Sequence, residues 1–156
     1  MGDGFSHLDS EGNVRMVDVG GKQVTPRRAV AEVVVTLDDP VRDRLFTGDL
    51  PKGDALAMVR VAAIMAAKRT PELVPLCHPV SLDAVTVDIE PIEAGARIVV
   101  TATVAARTGV EMEAMTGAAV GAVALYDMIK GLDRGAEIGS LRLVSKSGGK
   151  SGEWHR

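Results

Sequence analysis

Cysteine and aromatic side chains are nearly missing from this chain. One cysteine, Cys77, stands among 156 residues, which excludes an intrachain disulfide and fits a reducing compartment. Phe, Tyr and Trp together supply 3% of the residues, too few for the stacking platforms that hold single-stranded nucleic acid. A surplus of positive charge is missing too. With 18 Lys and Arg against 21 Asp and Glu, the net charge is −3, so no overall basic field draws in nucleic acid. Any anion must be caught by local lysines and arginines. No uninterrupted apolar run reaches the roughly 18 residues expected of a membrane-spanning helix. The N-terminus, MGDGFSHLDSEGNVRMVDV, is acidic and Gly-rich, with no signal-peptide apolar core, and no basic tract follows position 6 to support lipid anchoring. These absences lead to the expectation of a cytoplasmic protein with no nucleic-acid or membrane partner.

What is present is ordinary for a globular protein. Hydrophobic residues at 46% and a length of 156 residues suffice for one domain with its own core. The expected division is an N-terminal arm over residues 1–28, the domain body, and a flexible, basic, Gly-rich tail over residues 145–156. Ala29 to Leu37 alternates Val33, Val35 and Leu37 on one face, which predicts a strand. Asp38-Asp39-Pro40 starts a short helix that ends near Gly48. After the turn Leu50-Pro51-Lys52-Gly53-Asp54, a second helix runs from Ala55 to Arg69. Arg60 is its one charge before Ala67, and a helix apolar nearly all round needs partners on both sides. Thr70-Pro71 closes it, and the stretch from Leu73 to Pro79 reads as a loop. Leu82–Glu90 and Ala96–Ala106 alternate as two strands of a hairpin. A last strand is expected from Glu137 to Val144.

Between these strands lies the stretch TGVEMEAMTGAAVGAVALYDMIK, from Thr108 to Lys130. It holds no proline, and Ala, Met, Leu and Glu dominate, which predicts a helix that starts at Thr108-Gly109 and stops at Gly131. At about 1.5 Å per residue, Glu113 and Asp127 stand roughly 21 Å apart along it. One small-molecule pocket can hardly use both ends, so a neighbouring chain is expected to complete any site that does. Leaving out the arm, the order is β-α-β-β-α-β with its first helix broken in two. That is an α+β class of the split βαβ type: an antiparallel sheet with helices packed on one face.

Each residue that could carry chemistry also has a plain structural reading. Cys77-His78 suggests zinc, but structural zinc wants four Cys or His ligands and catalytic zinc about three. The chain has one Cys and three His, and His7 and His155 lie near the termini. His78 is otherwise a general acid/base or substrate-orienting imidazole, or a loop histidine bonded to backbone. Lys52, in Pro-Lys-Gly-Asp, is either an exposed turn lysine or one that binds phosphate and donates a proton. Asp127 and Lys130 share a helix face and form a surface pair or a tuned acid/base pair. Glu111 and Glu113 favour the positive end of the helix dipole, while Gly117 and Gly121 read as close-packing positions. Lys146-Ser147-Gly148-Gly149-Lys150-Ser151-Gly152 contains Gly-Lys-Ser. A Walker A loop, however, needs glycine where Val144 stands and a helix after the loop. A flap whose lysines and backbone N–H groups close on phosphates remains open, as does a solvated tail.

PKGD, PLCHP, TGVEMEA, YDMIK and KSGGKSG, in that order and spacing, closely resemble the cyclic pyranopterin monophosphate synthase family, the accessory protein C of molybdenum cofactor biosynthesis. The resemblance runs from Met16-Val17-Asp18-Val19 to the terminal KSGGKSG. It implies a lyase that converts 3′,8-cyclo-7,8-dihydroguanosine 5′-triphosphate to cyclic pyranopterin monophosphate and releases pyrophosphate. It implies a ferredoxin-like fold, a homohexamer built as a trimer of dimers, and active sites between subunits. Lys52, Asp127 and Lys130 are the catalytic residues it implies, with Asp127 orienting Lys130 and tuning its pKa. Arg27, Cys77, His78, Glu111, Met112, Glu113, Lys146 and Lys150 are the substrate-binding residues. No metal site and no redox cofactor are implied, although Mg²⁺ can accompany the triphosphate. Where relatives often have Gly-Lys before Thr-Gly-Val-Glu, this chain has Ala106-Arg107, and its tail ends soon after KSGGKSG. The alternative to the lyase is a non-catalytic ferredoxin-like nucleotide-binding or sensor module that uses the same lysines.

Overall fold

The computed structural model describes residues 7–9 and 11–156. The expected N-terminal arm therefore falls partly outside the described residues, at positions 1–6 and 10. The elements are β1 (Thr25–Thr36), α1 (Asp39–Thr47), α2 (Ala55–Lys68), α3 (Thr70–Leu73), β2 (Ala84–Ile92), β3 (Gly95–Ala106), α4 (Glu111–Ile129), β4 (Glu137–Ser147) and β5 (Trp154–His155). The strands make one sheet in the order β2-β3-β1-β4-β5, with every pairing antiparallel.

Period-two alternation decides which face of the sheet meets the helices. Ala29, Ala31, Val33 and Val35 of β1 lie opposite Ala102, Val100, Ile98 and Ala96 of β3 and are fully buried with them. This face carries α4 and α2, and Val41 and Leu45 of α1 join the same core. The small residues let α4 come close. A Cβ on Gly117 would stand 3.1 Å from both the Ala63 carbonyl and Val100 Cγ1, and one on Gly121 3.3 Å from Ala63 Cβ. Both glycines are packing positions, as their spacing suggests. The opposite face is charged at its centre, where Arg142 Nε donates to Glu32 Oε1 at 2.7 Å and Arg97 flanks the same carboxylate. These arginines cover Glu32 to 6% exposure.

Several boundaries differ from the sequence reading. β1 starts four residues earlier than expected, because Thr25 to Arg28 pair with Thr103 to Ala106 despite their polarity. Thr70-Pro71 does not merely close α2 but opens α3, with proline in the first turn. The 145–156 tail, expected to be flexible, is drawn into the sheet. Ser145 to Ser147 continue β4, positive-φ Gly148 and Gly149 turn the chain, and Arg156 N donates to the Val144 carbonyl at 3.0 Å. Glycine at these positions serves backbone reversal rather than looseness. α4 is also long and apolar enough by itself to cross a membrane, yet half of that stretch is buried inside the fold, as in the core helix of a globular domain.

Candidate active site

The predicted residues fall into two groups at opposite ends of α4. At its C-terminal end, Asp127 is shared between two lysines. Lys130 Nζ lies 2.7 Å from Asp127 Oδ1, and Lys52 Nζ lies 3.0 Å from Oδ2 and 2.5 Å from the Asp127 carbonyl oxygen. The PKGD turn places Lys52 there. Gly53 takes a φ of 89°, its N–H closes the turn on the Leu50 carbonyl at 3.0 Å, and Asp54 caps α2 by accepting from Ala57 N at 2.9 Å. Lys130 is one helical turn from Asp127, which brings it onto the same face.

The electrostatics of this group have a definite sign. Hydrogen bonds from Lys130 and then Lys52 hold the Asp127 carboxyl below its usual range, while the bond to Asp127 pushes Lys130 up. Asp127 thus keeps Lys130 as an ammonium, suited to giving a proton or holding phosphate. It does not lower the lysine toward a free base. All three side chains are substantially exposed, so this group lies open at the surface of the chain.

At the N-terminal end of α4, two cavities meet. The larger, about 440 Å³, brings Cys77 and His78 together with Glu111, Met112 and Glu113. The smaller, about 280 Å³, gathers Arg27, Arg28, Arg107, Lys146 and Lys150. Lys22, Thr108, Gly109 and Glu111 line both. Two cavities of this size are ample for a nucleotide-sized ligand.

Local sequence explains the shape. α4 begins at Glu111 after Val110, and no side chain caps it, so Thr108-Gly109 does not act as a cap in the way its position suggests. Its first turn instead carries two carboxylates, Glu111 and Glu113, at the positive end of the helix dipole. Glu111 folds its carboxylate back over Gly109, where any Cβ would collide with it. Lys146 bonds both Glu111 Oε1 and Ser151 Oγ at 3.1 Å, which ties the tail to the helix start. Gly149 packs against the Arg27 guanidinium, leaving no room for a larger residue. The Arg27 Nε is buried without a protein partner, while its Nη2 reaches the Arg107 carbonyl at 3.4 Å.

The larger cavity has the opposite electrostatic character. Glu113 is only 3% exposed, and burial pushes its carboxyl above the ordinary value of 4.5. Burial, then the charge of Glu113, pushes the Cys77 thiol up as well, which keeps it protonated and unreactive. His78 Nε2 donates to the Val17 carbonyl at 2.7 Å, so a neutral ring carries its lone pair on Nδ1. That bond also gathers the N-terminal arm over the cavity. Among the described residues, no three His, Cys, Asp or Glu side chains stand close enough to hold a metal ion.

Every predicted site residue therefore lies in one of the two groups, and no single site in one chain contains them all. Val17, Val19 and Lys22 also line the cavity, a role the sequence reading missed because arm residues carry no periodic signal. The MVDVGGK run, within the resemblance but unassigned, was the available hint.

The class defined by fold and cavities is an α+β protein with a cation-lined cavity beside a half-apolar, acidic one. Comparison then places it more narrowly. The MoaC family matches residues 16–149, and the chain belongs to that family. Curated relatives named cyclic pyranopterin monophosphate synthase are similar along nearly their whole length. The one from Roseiflexus castenholzii is 52% identical over 151 residues, covering 96% of each chain. The relative from Novosphingobium aromaticivorans is 50% identical over 150 residues, again 96% of each. That from Corynebacterium efficiens is 50% identical over 150 residues, covering 96% of this chain and 97% of its own.

Proposed function

We propose that this chain is a cyclic pyranopterin monophosphate synthase, a lyase of molybdenum cofactor biosynthesis. Its substrate in this reading is 3′,8-cyclo-7,8-dihydroguanosine 5′-triphosphate, and its products are the cyclic pterin monophosphate and pyrophosphate. The observation that carries the reading is the pair of joined cavities at the start of α4. One offers several cations to phosphates; the other offers carboxyl, imidazole and apolar surface to a heterocycle.

The chemistry asks for both. A hydroxyl attacks the α-phosphorus, the bond to the pyrophosphate oxygen breaks, and Arg27, Lys146 and Lys150 stabilise the charge that leaves. Opening and re-closing the purine-derived ring requires protons to be moved, a task for the Lys52–Asp127–Lys130 group. Those three residues lie roughly 20 Å from the cavities along α4. The same group on a second copy supplies the missing cations, so the site lies between subunits of a homohexamer, a trimer of dimers. An exposed apolar stripe, Met58, Val61 and Met65 on α2, supports such an assembly. The strand order suits a ferredoxin-like description. The reaction needs no redox cofactor, Mg²⁺ can enter with the triphosphate, and the compartment is the cytoplasm.

The test is to incubate purified protein with the cyclised guanosine triphosphate derivative and follow pyrophosphate and pterin together. Both should form, and both should be lost in Lys52→Ala with assembly intact. Tight binding without either product would overturn the synthase reading in favour of a sensor.

A further inference from the structure

Two long-range side-chain bonds pin the N-terminal arm to the body of the domain. One is His78 on the Val17 carbonyl, already described. The other is Arg107, whose Nε donates to the Lys22 carbonyl at 3.1 Å across 85 residues of sequence. Between the pins the chain makes a tight turn, with Gly20 N on Asp18 Oδ1 at 2.7 Å and Lys22 N on the Val19 carbonyl at 3.0 Å. The turn delivers Lys22 to both cavities, and among the described residues Lys22 is the one Lys or Arg that lines both. Lys52, Lys130 and Lys146 are each paired with a carboxylate, whereas Lys22 enters no ion pair among the described residues.

Arg107 suits a double task. A guanidinium carries one donor at Nε and four more on its Nη groups, in a rigid fork. With Nε on the Lys22 carbonyl, the Nη edge stays available in the smaller cavity, which Arg107 lines beside Arg27 and Lys146. The Arg107 carbonyl in turn accepts from Arg27 Nη2, so one residue organises two neighbouring cations. A lysine at this position could serve the carbonyl or the anion, but its single ammonium cannot span both in a fixed geometry.

We propose that Lys22 and Arg107 form a further phosphate-binding pair of this site, with Arg107 also the positioning residue that sets the Lys22 turn. Lys22, at the junction of the cavities, holds the phosphate nearest the heterocycle. Arg107 holds the chain further along. This inference rests on the triphosphate reading given above.

The test uses inorganic triphosphate, titrated calorimetrically into the assembled wild-type protein and into variants. Lys22→Ala should weaken binding about tenfold, the worth of one charge-assisted hydrogen bond. Arg107→Lys keeps the charge but loses the fork, and should also weaken binding severalfold. In an Arg107→Ala background, adding Lys22→Ala should cost less than about twofold, because Lys22 is no longer placed. In turnover the single variants should raise KM more than they lower kcat. Binding by Lys22→Ala within twofold of wild type would overturn the pair, as would an Arg107→Lys protein that binds like wild type. Absence of triphosphate binding by the wild-type protein would overturn it too. The two readings separate cleanly. Turnover with triphosphate binding unaffected by these variants defeats only the pair; the expected binding differences without turnover defeat only the synthase.

Discussion

Glu111 Oε1 stands 3.1 Å from Lys146 Nζ, and this pair forms the wall between the cationic cavity and the acidic one. It joins the first turn of α4 to the end of β4, so a cation of the tail sits at the cavity before any ligand arrives. The pairing also has a cost for phosphate, which must share Lys146 with a carboxylate. Glu111→Gln should therefore tighten inorganic triphosphate binding by roughly threefold to tenfold, the scale of one partly screened charge contact. Calorimetry at low and high salt checks this, since the gain should shrink as salt rises. Weaker binding in the variant would mean that Glu111 positions Lys146 more than it competes for it.

Glu113 makes stability depend on pH with a fixed sign. Burial raises its folded-state pKa above the ordinary 4.5, so the stability it contributes is complete below that value and lost as pH rises through the folded pKa. Asp127 has the opposite sign: its carboxyl is held low, so its contribution is complete above the ordinary 3.8 and is lost as pH falls from there through the lowered value. Glu113→Gln should thus gain in Tm over wild type as pH is raised from about 4.5, then level off once the wild-type carboxyl is fully charged. Melting curves of both proteins across that range give the result. A gap that narrows with rising pH would contradict it.

Separation of the two residue groups predicts complementation between damaged chains. Lys130→Ala and Glu113→Gln proteins should each be inactive alone while keeping their assembly. Unfolded and refolded together, they should regain about a quarter of wild-type activity, because in the proposed dimers half the pairs are mixed and each has one intact site of two. The measurement is pyrophosphate release from the mixture. No recovery, with mixed assemblies demonstrated, would place all the chemistry within one chain.

The contact of α4 with α2 and the sheet leaves no room at Gly117. Gly117→Val should cost about 1–3 kcal/mol through overpacking, which corresponds to a Tm lower by roughly 2–4 °C per kcal/mol for a chain of this size. Gly131 has nothing within 4 Å of an added Cβ and no positive φ, so Gly131→Ala should leave Tm nearly unchanged. Differential scanning calorimetry of the two variants decides the matter.

Much of this protein is legible in its sequence. Alternation in Val33-Val35, Val85-Val87-Ile89 and Ile98-Val100-Ala102 identified three strands, since burial of one sheet face writes a period of two into the chain. The caps at Gly48 and Asp54 and the apolar run of α4 marked helices by equally local rules. Motif order and spacing named the family and implied a set of site residues. Local rules failed where polar residues pair for tertiary reasons: at the Thr25–Arg28 start of β1, and in a glycine-rich tail that looked loose but turns back as β5.

Tertiary structure alone decided the rest. It paired Lys52 with Asp127 across 75 residues, brought the Lys22 turn under Arg107 across 85, and laid Arg142 on Glu32 across 110. It also gave a sign to the tuning that the resemblance implied: the bond to Asp127 pushes Lys130 up and so favours its ammonium. Such contacts depend on strand register and on which sheet face the helices choose, and neither leaves a local trace in the chain. The residue types were in the sequence; their company was set by the packing of α4 against the sheet.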